Sequence, residues 1–377
     1  MKTLIVTGYF LPGTNGGGPV NSINNIVKNV EGKFDIITKS TDVGSRIKYQ
    51  DITFNSWLKK ENYRIKYLDT KKFIYIYKTI KDKDYKVIYI NSLFSEFSIM
   101  FYIATLFSRT QIVIAPRGEL NKNALNMKSI KKKIFISIFK LMNKKKKYKF
   151  HATSVKEQED IKKILNVNSV LISNLPSKIE TNVKRKEKKI GILNIMMVAR
   201  INKMKNIHFA ITSLSDLNAK SVVLDIYGPL EDKEYLNYCK KLKVNKNIQI
   251  NFKGSRSKEE LAILYSNYDL FYLPTLGENY GHAIIEAIQN QLPVLISNNT
   301  PWINLENKKV GFDYPLDDVG KYKETLQKLV DSGETYYNNK FTGFIEFIKN
   351  ELEVDENIKK YKSLLNITTD FESRRGL

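Results

Sequence analysis

The chain predicts an α/β fold of two doubly wound domains, each a mostly parallel sheet covered by helices on both faces. Three observations carry this. Apolar runs of strand length alternate with helix-length segments from end to end, the pattern of βαβ units. The runs are continuously apolar rather than alternating, as strands buried on both faces are. The chain also has 377 residues, beyond the size at which a single core usually keeps growing.

The elements follow in order. Thr3–Thr7 reads as the first strand, the glycine-bearing loop Gly8 to Pro19 comes next, and Val20–Val30 reads as a helix. Strands are predicted at Phe34–Thr38, Lys86–Asn91 and Gln111–Ala115, with a helix from Ser95 to Phe107 between the last two. Lys149–Thr153 and Val170–Ile172 follow. The pattern then breaks into a charged linker, Glu180–Lys189. A second series starts at Ile190, with strands at Asn194–Val198, Ser221–Tyr227, Ile248–Phe252, Asp269–Leu273 and Pro293–Ser297. The tail from Tyr336 reads as helical. These breaks predict domains at residues 1–182 and 190–355, with a terminal segment at 356–377.

Composition narrows the class. Hydrophobic residues make up 42% of the chain, enough for a full core and too many for wholesale disorder. The single cysteine, Cys239, excludes an intramolecular disulfide. With only three histidines and one cysteine, no zinc-like cluster is expected. No secretory leader is legible at Met1-Lys2, which runs straight into a strand, so a cytoplasmic location is expected. Charge is segregated: residues 1–190 hold 38 Lys and Arg against 15 Asp and Glu, and the rest hold 24 of each. The densest clusters, Lys128–Lys133 and Lys144–Lys149, flank the apolar run Ile134–Met142. Lysines flanking an apolar segment suit an anionic membrane surface. Packing of the run into the core, with solvated lysines, is compatible with the same pattern. No motif supports a nucleic-acid partner.

The stretch from Leu273 to Ala287 concentrates the chemistry. Glu278 and Glu286 are placed around Gly281, where a buried strand closed by Pro274 turns into a helix from His282 to Asn290. A glycine at a helix start lets a ligand approach backbone N–H groups, and the helix dipole favours an anion there. Glu286, a turn into the helix, reaches hydroxyls beside such an anion, and Glu278 reaches a second polyol. A diphosphate flanked by two hydroxyl-rich sugars is a nucleotide-sugar. Arg200 and Lys205 follow the first strand of the second domain and can converge on one diphosphate, neutralising a leaving group. In the first domain, Gly16, Gly17 and Gly18 let the backbone approach a phosphate or sugar, in neither a G-x-G-x-x-G nor a Walker pattern.

These residues resemble the retaining glycosyltransferases of family four, which have the GT-B fold: Glu278 and Glu286 match their E-x7-E motif. Arg200 and Lys205 match an Arg-x4-Lys element, Phe252-Lys253-Gly254 a glycine strand end, and Pro293–Ser297 the following strand. The resemblance covers most of residues 190–320. It implies two Rossmann-like domains facing each other across a cleft, with a terminal helix returning to the first. It implies retaining transfer of a sugar from a nucleoside-diphosphate sugar to a glycan hydroxyl, with an acceptor on a lipid carrier in surface polysaccharide synthesis. The first domain then takes the acceptor and the second the nucleotide-sugar, with domain closure excluding water.

On this reading Glu278, Arg200, Lys205 and Arg117 are the catalytic candidates. Donor binding falls to Glu286, Gly281, His282, Tyr280, Asn279 and the Gly16–Gly18 loop, and acceptor binding to Glu119 and Asn91. No metal and no cofactor beyond the nucleotide-sugar is expected, since two cations serve the diphosphate and no Asp-x-Asp lies at a strand end. Many family members carry a histidine where this chain has Pro116-Arg117-Gly118-Glu119, so Arg117 is the candidate there, toward a donor phosphate or an acidic acceptor. Asn174 and His151 read as structural, and Trp302 as a wall of the site or a core residue. The alternative is a non-catalytic GT-B-like subunit that binds nucleotide-sugar or glycan. A pyridoxal-dependent phosphorylase lacks its lysine motif here, and an NAD-dependent oxidoreductase lacks its glycine fingerprint.

Overall fold

The computed structural model describes residues 2–13, 15–69, 73–81, 85–106, 108–121, 125, 129–146, 148–178 and 186–367. Thr14, Phe107, Lys128, Lys147, the linker residues 180–185 and the tail beyond 367 lie outside the described residues. The chain divides into two compact units: Met1–Leu175 with Val354–Leu377, and Pro176–Glu353.

The first unit is built on β1 (Lys2–Thr7), β2 (Lys33–Lys39), β3 (Leu58–Lys59), β4 (Tyr63–Leu68), β5 (Tyr85–Asn91), β6 (Gln111–Ala115), β7 (Lys149–Ala152) and β8 (Ser169–Leu171). They form one sheet in the order β3-β4-β2-β1-β5-β6-β7-β8. Every pairing is parallel except β3 with β4. The helices are α1 (Gly18–Asn29), α2 (Phe73–Lys81), α3 (Glu96–Thr105), α4 (Ser129–Lys146) and α5 (Val155–Leu165). Successive strand residues face opposite sides of the sheet, and here both sides are buried. Leu4, Val6, Ile88, Ile90, Ile112 and Ile114 enter one core. Ile5, Val87, Tyr89, Val113 and Ala115 enter the other. Each of the Val, Leu and Ile side chains among these contributes roughly 1.5–3 kcal/mol on burial.

The second unit holds β9 (Ile192–Val198), β10 (Ser221–Tyr227), β11 (Ile248–Gly254), β12 (Leu270–Leu273), β13 (Val294–Ser297) and β14 (Gly311–Tyr314). Their order is β11-β10-β9-β12-β13-β14, all parallel. Its helices are α6 (Ile207–Leu214), α7 (Lys233–Lys240), α8 (Lys258–Leu264), α9 (His282–Gln289), α10 (Val319–Asp331), α11 (Glu334–Lys340) and α12 (Phe344–Glu351). The last helix, α13 (Val354–Leu364), belongs to the first unit. Its Tyr361 is fully buried, edge-on to His151 with ring centroids 5.3 Å apart. The sequence reading placed nothing between Thr38 and Lys86, where the structure has β3, β4 and α2. Charged residues interrupt β4 (Arg64, Lys66), because a strand near the sheet edge need not be apolar throughout.

Candidate functional site

In an open parallel sheet, ligands bind beyond the carboxyl ends of the strands where the strand order reverses. In the second unit the reversal falls between β9 and β12, which pair directly through Leu270 with Ile195 and Phe271 with Met196. The segments leaving those two strands are the ones that carry Arg200 with Lys205 and Glu278 with Glu286. The entrance to this strand pair is fixed by Asp269, whose carboxylate accepts from Asn194 N at 2.7 Å and Asn194 Nδ2 at 3.0 Å.

Past β9 the chain stays zipped to the segment leaving β10. Ala199 N donates to Tyr227 O at 2.8 Å, Ile201 N to Pro229 O at 2.9 Å, and Asp232 N to Ile201 O at 3.0 Å. Gly228 makes the approach possible: it has φ 149°, and a Cβ there would stand 2.0 Å from the Ala199 carbonyl oxygen. This zipper sets Glu231 opposite Arg200, with Arg200 Nη1 at 3.1 Å from Glu231 Oε1 and Asn202 Nδ2 at 2.5 Å from Oε2. Asn202 also caps a short 3-10 turn, Lys203–Lys205, by accepting from Lys205 N. That turn directs Lys205 to Glu278, with which it forms a short ion pair. Arg200 and Lys205 thus engage two different carboxylates.

The loop from Pro274 to Gly281 is anchored on both sides. Leu276 N and Thr275 Oγ1 donate to Met204 O, Glu278 N donates to Asn299 O, and the Trp302 indole donates to Tyr280 O. Trp302 is buried and packs edge-on against Tyr280 at 5.3 Å, so it forms core and loop support together. The Tyr280 and His282 rings lie 4.7 Å apart, and Asn279 is half-buried in the same loop. Gly281 holds φ 78° ahead of α9, and no side chain caps that helix. Its first turn therefore has the anion-favouring end of a helix at the switch point. Glu286, one turn in, is buried. Its Oε1 lies 3.1 Å from Lys258 Nζ and accepts from Ser177 Oγ at 3.4 Å. Lys258 Nζ also donates to Ser177 Oγ at 2.9 Å.

In the first unit the strand order reverses between β1 and β5. The Gly16–Gly18 segment leaves β1, with Gly17 at φ 55° before α1, and Asn91 ends β5. Asn91 Nδ2 lies 3.5 Å from Pro19 O, which ties the two together. Arg117 adopts φ 57° and turns back over the strand ends. It donates to Asn91 Oδ1 at 2.7 Å, Asn174 Oδ1 at 2.5 Å and the Tyr89 hydroxyl at 2.8 Å. Glu119 accepts from the Ser92 hydroxyl at 2.7 Å, Leu93 N at 2.5 Å and Phe94 N at 3.1 Å. Burial raises its carboxyl above the usual range, against these donors and Lys132. Both side chains are engaged in holding loops. His151 is fully buried, and burial, then the nearby Arg117 charge, push its pKa down to about 3.

Three residues of the site were missed from sequence: Glu231, Lys258 and Ser177. Ser257-Lys258-Glu259-Glu260 carries a legible capping box, formed here with Ser257 accepting from Glu260 N. That signal locates Lys258 at a helix start beyond β11 but not its partner. Nothing local marks Glu231 or Ser177.

Residues 178–343 match the family described as Glycosyl transferases group 1. "Protein CapJ" of Staphylococcus aureus is 28% identical over 274 residues, 71% of this chain and 63% of that protein. The "Capsular polysaccharide biosynthesis glycosyltransferase CapM" of the same organism is 29% identical over 189 residues, 46% of this chain and 49% of that protein. The chain thus spans about half to two thirds of the length of these relatives. Among solved structures, Anabaena HepE in complex with UDP and glucose is similar with a TM-score of 0.71 at 14% identity, covering 98% of this chain and 100% of that one. That likeness shows the two-domain α/β architecture of GT-B proteins, and the family match falls within the second unit of the chain.

Proposed function

We propose that this chain is a retaining glycosyltransferase that moves a sugar from a nucleoside-diphosphate sugar to a hydroxyl of a lipid-linked glycan in surface-polysaccharide synthesis. The observation that carries the reading is the β9/β12 switch point, where Arg200, Lys205, Glu278 and the start of α9 leave two paired strands. The complex of HepE with UDP and glucose and the name of CapM support the donor class and the pathway type.

In the proposed reaction the bond from the anomeric carbon to the diphosphate oxygen breaks as the acceptor oxygen bonds to the same face of that carbon. The acceptor proton passes to the departing phosphate oxygen, so no pair of enzymic carboxylates is needed, unlike glycoside hydrolysis. Arg200 and Lys205 neutralise the charge that builds on the leaving diphosphate, in place of a metal ion. The start of α9 at Gly281 and His282 receives phosphate oxygens. Glu278 orients hydroxyls of the transferred sugar and Glu286 those of the ribose, with Lys258 and Ser177 fixing the Glu286 carboxylate. On the same reading the Gly16–Gly18 segment at the first unit's switch point serves the donor, and Asn91 and Glu119 serve the acceptor.

The test is calorimetric titration with UDP, GDP, ADP and CMP, each with and without magnesium, followed by transfer assays on Glu286→Ala. One diphosphate should bind without metal, and the variant should lose transfer by about a hundredfold or more with its melting temperature kept. Full transfer activity in Glu286→Ala would refute the site. Binding without turnover by the unaltered chain would leave it a nucleotide-sugar-binding subunit.

A further inference from the structure

The lysine-flanked apolar run of the first unit is the single helix α4, with seven lysines and no acidic residue. Its apolar residues divide between two faces. Phe135, Phe139 and Met142 face inward, with Phe139 fully buried between Tyr102 at 5.4 Å and Tyr148 at 5.6 Å. Ile130, Ile134, Ile138 and Leu141 are 74%, 57%, 53% and 63% exposed. Their spacing of i, i+4, i+8 and i+11 aligns them as one stripe. Helical periodicity places Lys133, Lys140 and Lys144, all exposed, along one flank of that stripe. Exposed aliphatic residues are ordinary singly, but a four-residue stripe calls for a partner.

We propose that this outer face of α4 docks on an anionic lipid bilayer, with the four aliphatic side chains in the acyl boundary and the lysines among the headgroups. Charge selects this occupant. A second copy would set like-charged lysine flanks against each other. A nucleic acid would leave the aliphatic stripe in water, and the face shows no exposed aromatic ring to stack on a base. A bilayer interface satisfies both halves of the surface. No helix among the described residues is long and apolar enough to cross a membrane, so the contact is peripheral. The proposal stands apart from the catalytic reading, since none of these residues belongs to the donor site.

Flotation of the full chain with phosphatidylglycerol–phosphatidylcholine vesicles, against pure phosphatidylcholine, tests it. Binding should require the anionic lipid and weaken with salt. Ile134→Asn with Ile138→Asn should weaken partitioning about tenfold or more. Lys133→Ala with Lys140→Ala should weaken it by about fivefold per lysine. All four side chains are exposed, so circular dichroism should not change. Cys239 is buried, so Ile138→Cys accepts an environment-sensitive dye selectively, and its emission should shift to the blue on vesicles. No binding to anionic vesicles, wild-type binding by the isoleucine pair, or an unshifted dye would each overturn the proposal.

Discussion

Lowering the pH should destabilise the first unit through one residue, His151. The hydrogen-bond chain around it fixes the tautomer. Arg117 Nη2 donates to the Tyr89 oxygen at 2.8 Å, and Nε2 of His151 donates to Ile172 O at 2.9 Å. The Tyr89 hydroxyl therefore donates to His151 Nδ1 at 2.7 Å, and that nitrogen must stay unprotonated. A proton there would break this bond and add a buried charge facing Arg117. The native pKa is pushed from 6.5 to about 3. The unfolded chain binds a proton that the folded chain refuses, so this stability is present above pH 6.5 and is lost as pH falls toward 3. At pH 5 the loss is 1.5 pH units at about 1.36 kcal/mol each, or about 2 kcal/mol. Trp57 packs on the first unit's core and Trp302 lies in the second, so urea unfolding by fluorescence in a Trp302→Phe background follows the first unit. His151→Gln keeps a donor and an acceptor but cannot titrate. Its loss between pH 7.5 and pH 5 should be smaller than that of the His151 chain by about 2 kcal/mol. Other groups, Glu119 included, titrate in both proteins and cancel. Equal pH dependence would refute the reasoning. Should the variant fail to fold, imidazole NMR on a chain with only three histidines reads the same quantity, and titration of His151 near 6.5 would be equally decisive.

Two further outcomes follow from the second unit. Gly228→Ala places a Cβ 2.0 Å from the Ala199 carbonyl oxygen and should cost about 3 kcal/mol or more, read as a lowered melting temperature; an unchanged melting temperature would show that the β9–β10 zipper gives way freely. Glu231→Gln releases Arg200 from its carboxylate and should tighten nucleoside-diphosphate binding by about twofold to fivefold, measured by calorimetry; weaker binding would mean that Glu231 itself positions the ligand.

The fold class was legible because each strand end of the second unit carries local punctuation. Pro274 closes an apolar run and Gly281 opens a helix, so the strand-to-helix transition around Glu278 can be read without tertiary knowledge. The ion pairs could not be read this way. Lys258 meets Glu286 because α8 and α9 lie near each other in the folded unit, a relation set by chain segments far apart. Arg117 shows a similar limit. From sequence it sits at a strand end, but its positive φ turns it back onto Asn91, Tyr89 and Asn174. The α4 run lies between these cases: its period was present in the sequence, but only packing decides which apolar face is covered.

The three cation–carboxylate pairs of the candidate site in the second unit differ in what it takes to open them. Arg200 and Glu231 are 45% and 47% exposed, whereas Lys205 and Glu278 are 13% and 16%, and Lys258 and Glu286 are 30% and 11%. Water competes for the outer pair, so a diphosphate can take Arg200 at little cost. The inner pairs are less screened, and removing one partner strands a half-desolvated charge. On the proposed function this divides the labour. Arg200 is the cation that exchanges partners as the donor arrives, Lys205 meets the diphosphate while it stays paired with Glu278, and Lys258 holds Glu286 in fixed orientation toward the ribose hydroxyls. The two outcomes of carboxylate removal should therefore have opposite signs: tighter diphosphate binding at Glu231, and lost transfer at Glu278 and Glu286. A uniform gain in affinity at all three positions would mean that the carboxylates only compete with phosphate and orient nothing.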